Sequence, residues 1–153
     1  MLVNENKNPL FFVSGSSFNL YDLLTKFCQH HNIPKAPFLL RNLGLDNEKW
    51  FKLNTDKYKK AYIEEILQMY PDLSFILIGD SGQKDPEIYT SLCEKYPNQI
   101  KAIYIRHVGD QARLDEINAL GQQISADFLV MNHSKEAIKH LKNKNWGVDS
   151  ILK

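Results

Sequence analysis

The sequence predicts an α/β domain built on an open, mostly parallel sheet covered by helices on both faces. Three observations carry that expectation. Short apolar runs recur along the chain, at LFFV 10–13, Phe38–Leu40, FILIG 75–79, Ile100 with Ala102–Ile105, and Phe128–Met131, as expected of strands buried on both faces. Between them lie stretches whose apolar residues return every three or four positions, the period of an amphipathic helix. The order is alternating, strand then helix, which favours crossover connections and a parallel sheet.

Taken in order, LFFV is closed by Ser14-Gly15-Ser16-Ser17. Leu20, Leu23, Leu24, Phe27 and Cys28 then follow at helical spacing, with Asn19 placed to cap the helix and Asp22 three residues on. Phe38–Leu40 is the second strand, and the polar stretch NLGLDNEKWFKLNTD that follows keeps no period. Tyr62, Ile63, Ile66, Leu67 and Tyr70 mark one face of a helix that Pro71 stops. After the FILIG strand, Asp85 before Pro86 reads as an N-cap with proline at the first helical position, and Ile88, Tyr89, Leu92, Cys93 and Tyr96 give that helix its apolar face. Pro97 ends it. A fourth strand at 100–105, a helix carrying Leu114, Ile117, Leu120 and Ile124, a fifth strand at 128–131 and a last helix from about Ser134, with Ile138 and Leu141, complete the order.

With 153 residues, the chain is expected to form one domain, 1–153. Hydrophobic residues at 43% and charged residues at 24%, with seven glycines and six prolines, exclude collagenous, low-complexity and disordered classes. Nineteen basic against 18 acidic side chains leave +1, so no basic excess points to nucleic acid as a partner. Cys28 and Cys93 fit neither a metal pair nor a disulfide framework and read as buried reduced thiols. No apolar run approaches membrane-spanning length, and MLVNENKNPL lacks the pattern of a signal peptide, so a reducing compartment, most simply the cytoplasm, is expected.

In a parallel sheet, sites form where the C-terminal ends of strands meet the following loops. Two loops stand out. Ser14-Gly15-Ser16-Ser17 offers small residues and amides beside a helix start, suited either to a phosphate oxygen or simply to a tight strand-to-helix turn. Gly79-Asp80-Ser81-Gly82-Gln83-Lys84-Asp85 places one carboxylate directly off a buried strand and a second at the head of a helix. A carboxylate at the mouth of a buried strand needs a partner, and Mg²⁺ is a natural one. Asp85 can serve as cap alone or as cap and metal ligand. In the run Lys57-Tyr58-Lys59-Lys60, Lys59 falls four residues before Ile63, on the face turned to the sheet, where it can reach an anion; Lys60 is the second choice. His30 and His31 fit a helix C-terminus, and His107, His133 and His140 show no ligand spacing to one another. Trp50 and Phe51 read as packing residues.

FFVSGSSFNLYDLL, PFLLR, FILIGDSGQKDPEIY and IKAIYIR together resemble the catalytic domain of the actin-patch type phosphatidate phosphatases, a branch of the haloacid dehalogenase superfamily. The similarity runs from about Pro9 to Val108. The resemblance implies a Rossmann-like fold and Mg²⁺-dependent hydrolysis of phosphomonoesters, phosphatidate at a membrane surface among them, through an aspartyl-phosphate. It assigns Ser14 as the hydroxyl of the second motif, with Gly15 and Ser16 in the phosphate loop, Lys59 or Lys60 as the lysine of the third motif, and Asp80 and Asp85 as the acids of the fourth, holding the metal. One element is missing. The first motif, DxDxT, which in the superfamily supplies the nucleophile and the acid/base, occurs nowhere in the 153 residues; Asp46-Asn47-Glu48 and Asp85-Pro86-Glu87 are the nearest spacings. The expectation is therefore a domain incomplete at its N-terminus, lacking the central first strand, truncated or split so that a second chain supplies DxDxT. The alternative is a catalytically inactive phosphate-binding or interaction module. His107 stands where the family commonly has aspartate, and no role is assigned to it.

Overall fold

The computed structural model of the chain describes residues 8–41 and 55–146. Trp50, Phe51 and the Asp46-Asn47-Glu48 spacing lie outside the described residues. The fold is α/β with parallel strands, arranged as two compact units, whose described residues are 8–41 with 55–63 and 64–146. Helix α2, Thr55–Met69, contributes residues to both.

The first unit holds strand β1, Phe12–Ser17, helix α1, Tyr21–His30, and strand β2, Phe38–Arg41. β1 and β2 are parallel, with Phe12 opposite Phe38, and those two rings stack at 4.6 Å. That cross-strand pair fixes the register. β1 consequently starts two residues later than the LFFV run and takes in Ser14–Ser17, expected as the loop that closes the strand; an irregularity between Ser14 and Ser17 absorbs the difference. A single 3₁₀ turn, Phe18–Leu20, is inserted before α1, and the Ser17 hydroxyl accepts from the Asn19 amide at 3.3 Å. Asn19 is therefore inside that turn and does not cap α1; Leu20 occupies the cap position and makes no side-chain bond there. Asn32, in the left-handed region at φ 52°, ends the helix. The helical stripe of Leu20, Leu23 and Phe27 is present, but no residue of α1 is buried.

In the second unit, strands β3, Phe75–Asp80, β4, Ile100–Arg106, and β5, Asp127–Met131, form a parallel sheet in the order β3-β4-β5. The central strand is the core: Ala102, Ile103, Tyr104 and Ile105 are wholly inaccessible. Helix α3, Asp85–Lys95, packs on β3 and β4; α4, Gln111–Gly121, packs on α3 and β5; α5, Ser134–Asn143, packs on β5. The ends of these helices follow their chemistry. Asp110 caps α4 by accepting from the Arg113 amide at 2.9 Å, and His133 with Glu136 forms a reciprocal capping box on α5. α4 ends before Ile124, at Gly121, where any Cβ would run into the ring of Phe128.

Both cysteines are free, but only Cys93 is buried; Cys28 is half-exposed because α1 is uncovered. His140, read from sequence as an isolated histidine, hydrogen-bonds through Nδ1 to the hydroxyl of buried Tyr104 at 2.9 Å. Burial, aided by the negative charge of Asp127, pushes that phenol up to about 12, and Lys144 pairs with Asp127 at 2.7 Å. No helix among the described residues is long and apolar enough to cross a membrane.

Leu92 on α3 is fully buried, whereas Leu23 on α1 is 63% exposed. Leu92→Ala is expected to cost about 2–5 kcal/mol through lost burial and a residual cavity, and Leu23→Ala to stay within about 0.5 kcal/mol. Urea unfolding midpoints at unchanged m-value check the contrast.

Candidate active site

β3 ends in Gly79-Asp80, and the chain must turn within four residues to enter α3 at Asp85. The Asp80 carboxylate folds back on this turn, its Oδ1 accepting from the Gly82 amide at 2.8 Å, an Asx turn that a short carboxylate favours. Asp85 turns toward the strand it has just left: its Oδ2 accepts from the Asp80 amide at 3.2 Å. This close approach is possible because residue 79 is glycine, since a Cβ there would collide with the Asp85 carboxylate. The sequence placed Asp85 as the N-cap of α3. The helix instead starts at Asp85, with Lys84 in the cap position and no side-chain cap from it. Asp85 is almost completely buried, at 3% exposure.

The walls of the turn are polar groups already engaged. Ser81 is buried; its amide donates to the Arg106 carbonyl at 2.9 Å, and its hydroxyl donates to the Val108 carbonyl at 2.7 Å while accepting the Val108 amide at 2.6 Å. One serine thus ties the end of β3 to the segment leaving β4. Tyr89, on α3, donates to the Ile78 carbonyl at 3.1 Å. Its phenol is pushed far upward by burial, then by the negative charges of Asp85 and Asp80, which places both carboxylates within electrostatic reach of one buried ring. Arg113 closes the far side. It pairs with both oxygens of Glu87, at 2.9 and 3.0 Å, and donates to the Ser81 carbonyl at 3.2 Å and the Gln83 carbonyl at 3.1 Å. Partial burial pushes the Glu87 carboxyl upward, but hydrogen bonds from Arg113, its own backbone and Lys84 overcome this and hold it down at about 2.

In the first unit, Ser14 lies opposite Leu40 in the β1–β2 register. Its hydroxyl accepts from the Ser16 amide at 3.2 Å and donates to the Ser16 hydroxyl at 3.1 Å, so the small-residue segment is internally bonded at the strand end. Gly15 lies directly against Thr55, the first residue of α2. Tyr58, one turn later, donates its hydroxyl to the Leu40 carbonyl at 2.7 Å and fastens the start of α2 to β2. Lys59 is buried beside it, at 9% exposure, while Lys60 remains half-exposed. Ser14, Gly15, Ser16 and Lys59 thus belong to the first unit, and Asp80 and Asp85, the latter's carboxylate accepting from the former's backbone amide, to the second. His107 continues the β4–β5 pairing through its amide, donating to the Met131 carbonyl at 2.8 Å.

Reading by spacing missed Ser81, Glu87, Tyr89 and Arg113. Ser81 and Glu87 stood inside the quoted run, but their partners, 27 and 26 residues away, are set by the sheet and by α4 packing.

The second unit is a parallel α/β sheet with Asp80 and Asp85 in the loop off a strand's C-terminal end, the place where sites form in such sheets, and the first unit carries a serine-rich strand end and a buried lysine. The chain belongs to the family of the phosphatidate phosphatase APP1 catalytic domain, which residues 1–107 match. It is 37% identical over 130 residues, 84% of this chain, to phosphatidate phosphatase APP1 of Saccharomyces cerevisiae, and 29% identical over 98 residues, 63% of this chain, to an uncharacterized Schizosaccharomyces pombe protein. The chain spans 20% of the length of the first and 16% of the second. No solved structure matches it.

Ser81→Ala removes the one hydroxyl that satisfies both backbone groups of Val108. It is expected to cost about 1–3 kcal/mol in a chemical denaturation series, the penalty for stranding buried polar groups. The lowered Glu87 carboxyl sets a pH window. Its stabilisation is complete above about 4.5 and is lost as the pH falls toward about 2. A ¹³C titration of the Glu87 carboxyl with its midpoint at 4 or above would remove this contribution.

Proposed function

We propose that this chain carries the phosphate- and metal-handling part of a phosphatidate phosphatase-type phosphomonoesterase of the haloacid dehalogenase superfamily, with the nucleophilic aspartate supplied by a DxDxT segment outside these 153 residues. The observation that carries this reading is the Asp80–Asp85 pair, drawn together at the C-terminal end of a parallel strand in a chain of the APP1 catalytic-domain family.

The donor set fits Mg²⁺. Both residues offer hard oxygen ligands, and the two carboxylates belong to the same strand-to-helix turn. Mg²⁺ is commonly held by one or two carboxylates, with water and substrate phosphate completing its shell. Asp80 and Asp85 would hold it, and when bound it supplies charge neutralisation for the phosphoryl group. Ser14 with the Gly15 and Ser16 amides would hold phosphoryl oxygens, and Lys59 would neutralise charge gathering near the nucleophile. The DxDxT aspartates would attack phosphorus and protonate the leaving oxygen, so that a phosphomonoester such as phosphatidate at a membrane surface loses phosphate through an aspartyl-phosphate.

A strand bringing DxDxT, from a longer version of this chain or from a second chain, has a place to pair. Among the described residues β3 pairs only with β4, and its apolar side chains Ile76 and Ile78 are 36% and 48% exposed. A cytoplasmic site of action is part of the same proposal and rests on the sequence.

The test is phosphate release from phosphatidate vesicles and from an aryl phosphate with Mg²⁺. The 153-residue chain alone is expected at background. Adding a DxDxT-bearing segment, in cis or in trans, restores turnover, and Asp80→Asn then lowers kcat by about 10²-fold or more. Robust turnover by the chain alone, or restored turnover indifferent to Asp80→Asn, overturns the reading.

A further inference from the structure

We infer that Arg113 is a positioning residue for the acidic turn: its guanidinium holds the 80–87 segment in the shape that keeps the Asp80 and Asp85 carboxylates at the end of β3 for a divalent cation. The inference rests on the proposed reading of that turn as a cation site and adds to it a residue that touches neither carboxylate.

The start of the turn is held by the Ser81 bonds to Arg106 and Val108 and by the Asp80–Gly82 Asx turn, and Arg113 adds bonds along the rest of it. Between the end of β3 and the start of α3 lie Ser81, Gly82, Gln83 and Lys84; no strand ladder runs through them, and glycine adds backbone freedom. Arg113 reaches across this gap from the first turn of α4, where Asp110 fixes its backbone amide. Nε donates to the Ser81 carbonyl at the beginning of the turn, Nη2 to the Gln83 carbonyl in its middle, and Nη1 and Nη2 to the two oxygens of Glu87 just beyond Asp85. Glu116 takes a further bond from Nη1 at 3.2 Å. One planar group therefore spans the turn at three points, and its side chain is only 19% exposed. A rigid fork can do this, whereas a lysine ammonium at the same place meets at most part of the set.

Coulomb's law and positioning predict opposite signs. A positive guanidinium near a cation site opposes binding, so by charge alone Arg113→Gln should tighten Mg²⁺ and Arg113→Lys should leave it unchanged. If the arginine acts by shaping the turn, both substitutions weaken Mg²⁺, by about tenfold or more, as loss of the groups that orient metal ligands commonly does.

The experiment titrates Mg²⁺ alone into the wild-type chain, Arg113→Lys, Arg113→Gln and Asp80→Asn, following the Ser81 and Gly82 amides by NMR. Amide exchange at Gly82 and at Ile103, in the core of β4, is measured without metal. Weaker Mg²⁺ binding in both arginine variants, with Gly82 exchange accelerated about tenfold and Ile103 exchange unchanged, is the expected result. Wild-type-like or tighter Mg²⁺ binding in both variants, unchanged Gly82 exchange, or equal acceleration at Gly82 and Ile103 overturns the role of Arg113. A wild-type chain whose Ser81 and Gly82 amides do not respond to Mg²⁺ overturns the cation-site reading itself, a failure distinct from the first.

Discussion

The contact on which the rest of the second unit's site depends is a carboxylate laid against a strand's own backbone. Asp85 reaches back across the turn to the amide of Asp80 and rests on Gly79, where any side chain would displace it. A buried carboxylate is costly unless it is paired or hydrogen-bonded, and this position is retained because the strand end supplies a donor and a glycine leaves the room. The geometry that follows is narrow. Once Asp85 is pinned, α3 can start only there, its Tyr89 falls under the carbonyl of Ile78, and Glu87 faces Arg113.

Much of this architecture was legible in the residues. The five strands and five α-helices among the described residues follow from apolar runs and helical periods, because a parallel sheet buried on two faces leaves few polar positions to confuse the signal. β4 shows it best, with each of Ala102, Ile103, Tyr104 and Ile105 inaccessible. Asp80 stood out for the same reason: an ionisable group ending an apolar strand contrasts with everything before it. Lys59 was separable from Lys60 by its spacing to Ile63, and the structure buries the one and leaves the other half-exposed.

What escaped the sequence is non-local or hinges on one residue of register. Asn19 has the chemistry of a cap, yet it falls inside an interposed 3₁₀ turn that Ser17 caps, and α1 starts after Leu20 without a side-chain cap. Asp85 reads as a cap and lies one position inside the helix. The SGSS segment reads as a loop but is drawn into β1 because the Phe12–Phe38 stack sets the pairing further along the chain. The roles of Ser81 and Arg113 depend on Val108 and Glu87 being near in space, and no local pattern encodes that.

The outer flank of β3 bears on how the chain behaves as a solute. A parallel strand with one flank unpaired among the described residues, and with Ile76 and Ile78 open to water, is a template for unspecific strand addition. Charge gives little protection, since a formal net charge of +1 and an isoelectric point near 7.8 leave weak mutual repulsion at neutral pH. Colloidal stability should therefore be poorest around pH 8 and improve on either side of it, and a lysine at position 78 would act as a gatekeeper on that flank without touching the carboxylate turn.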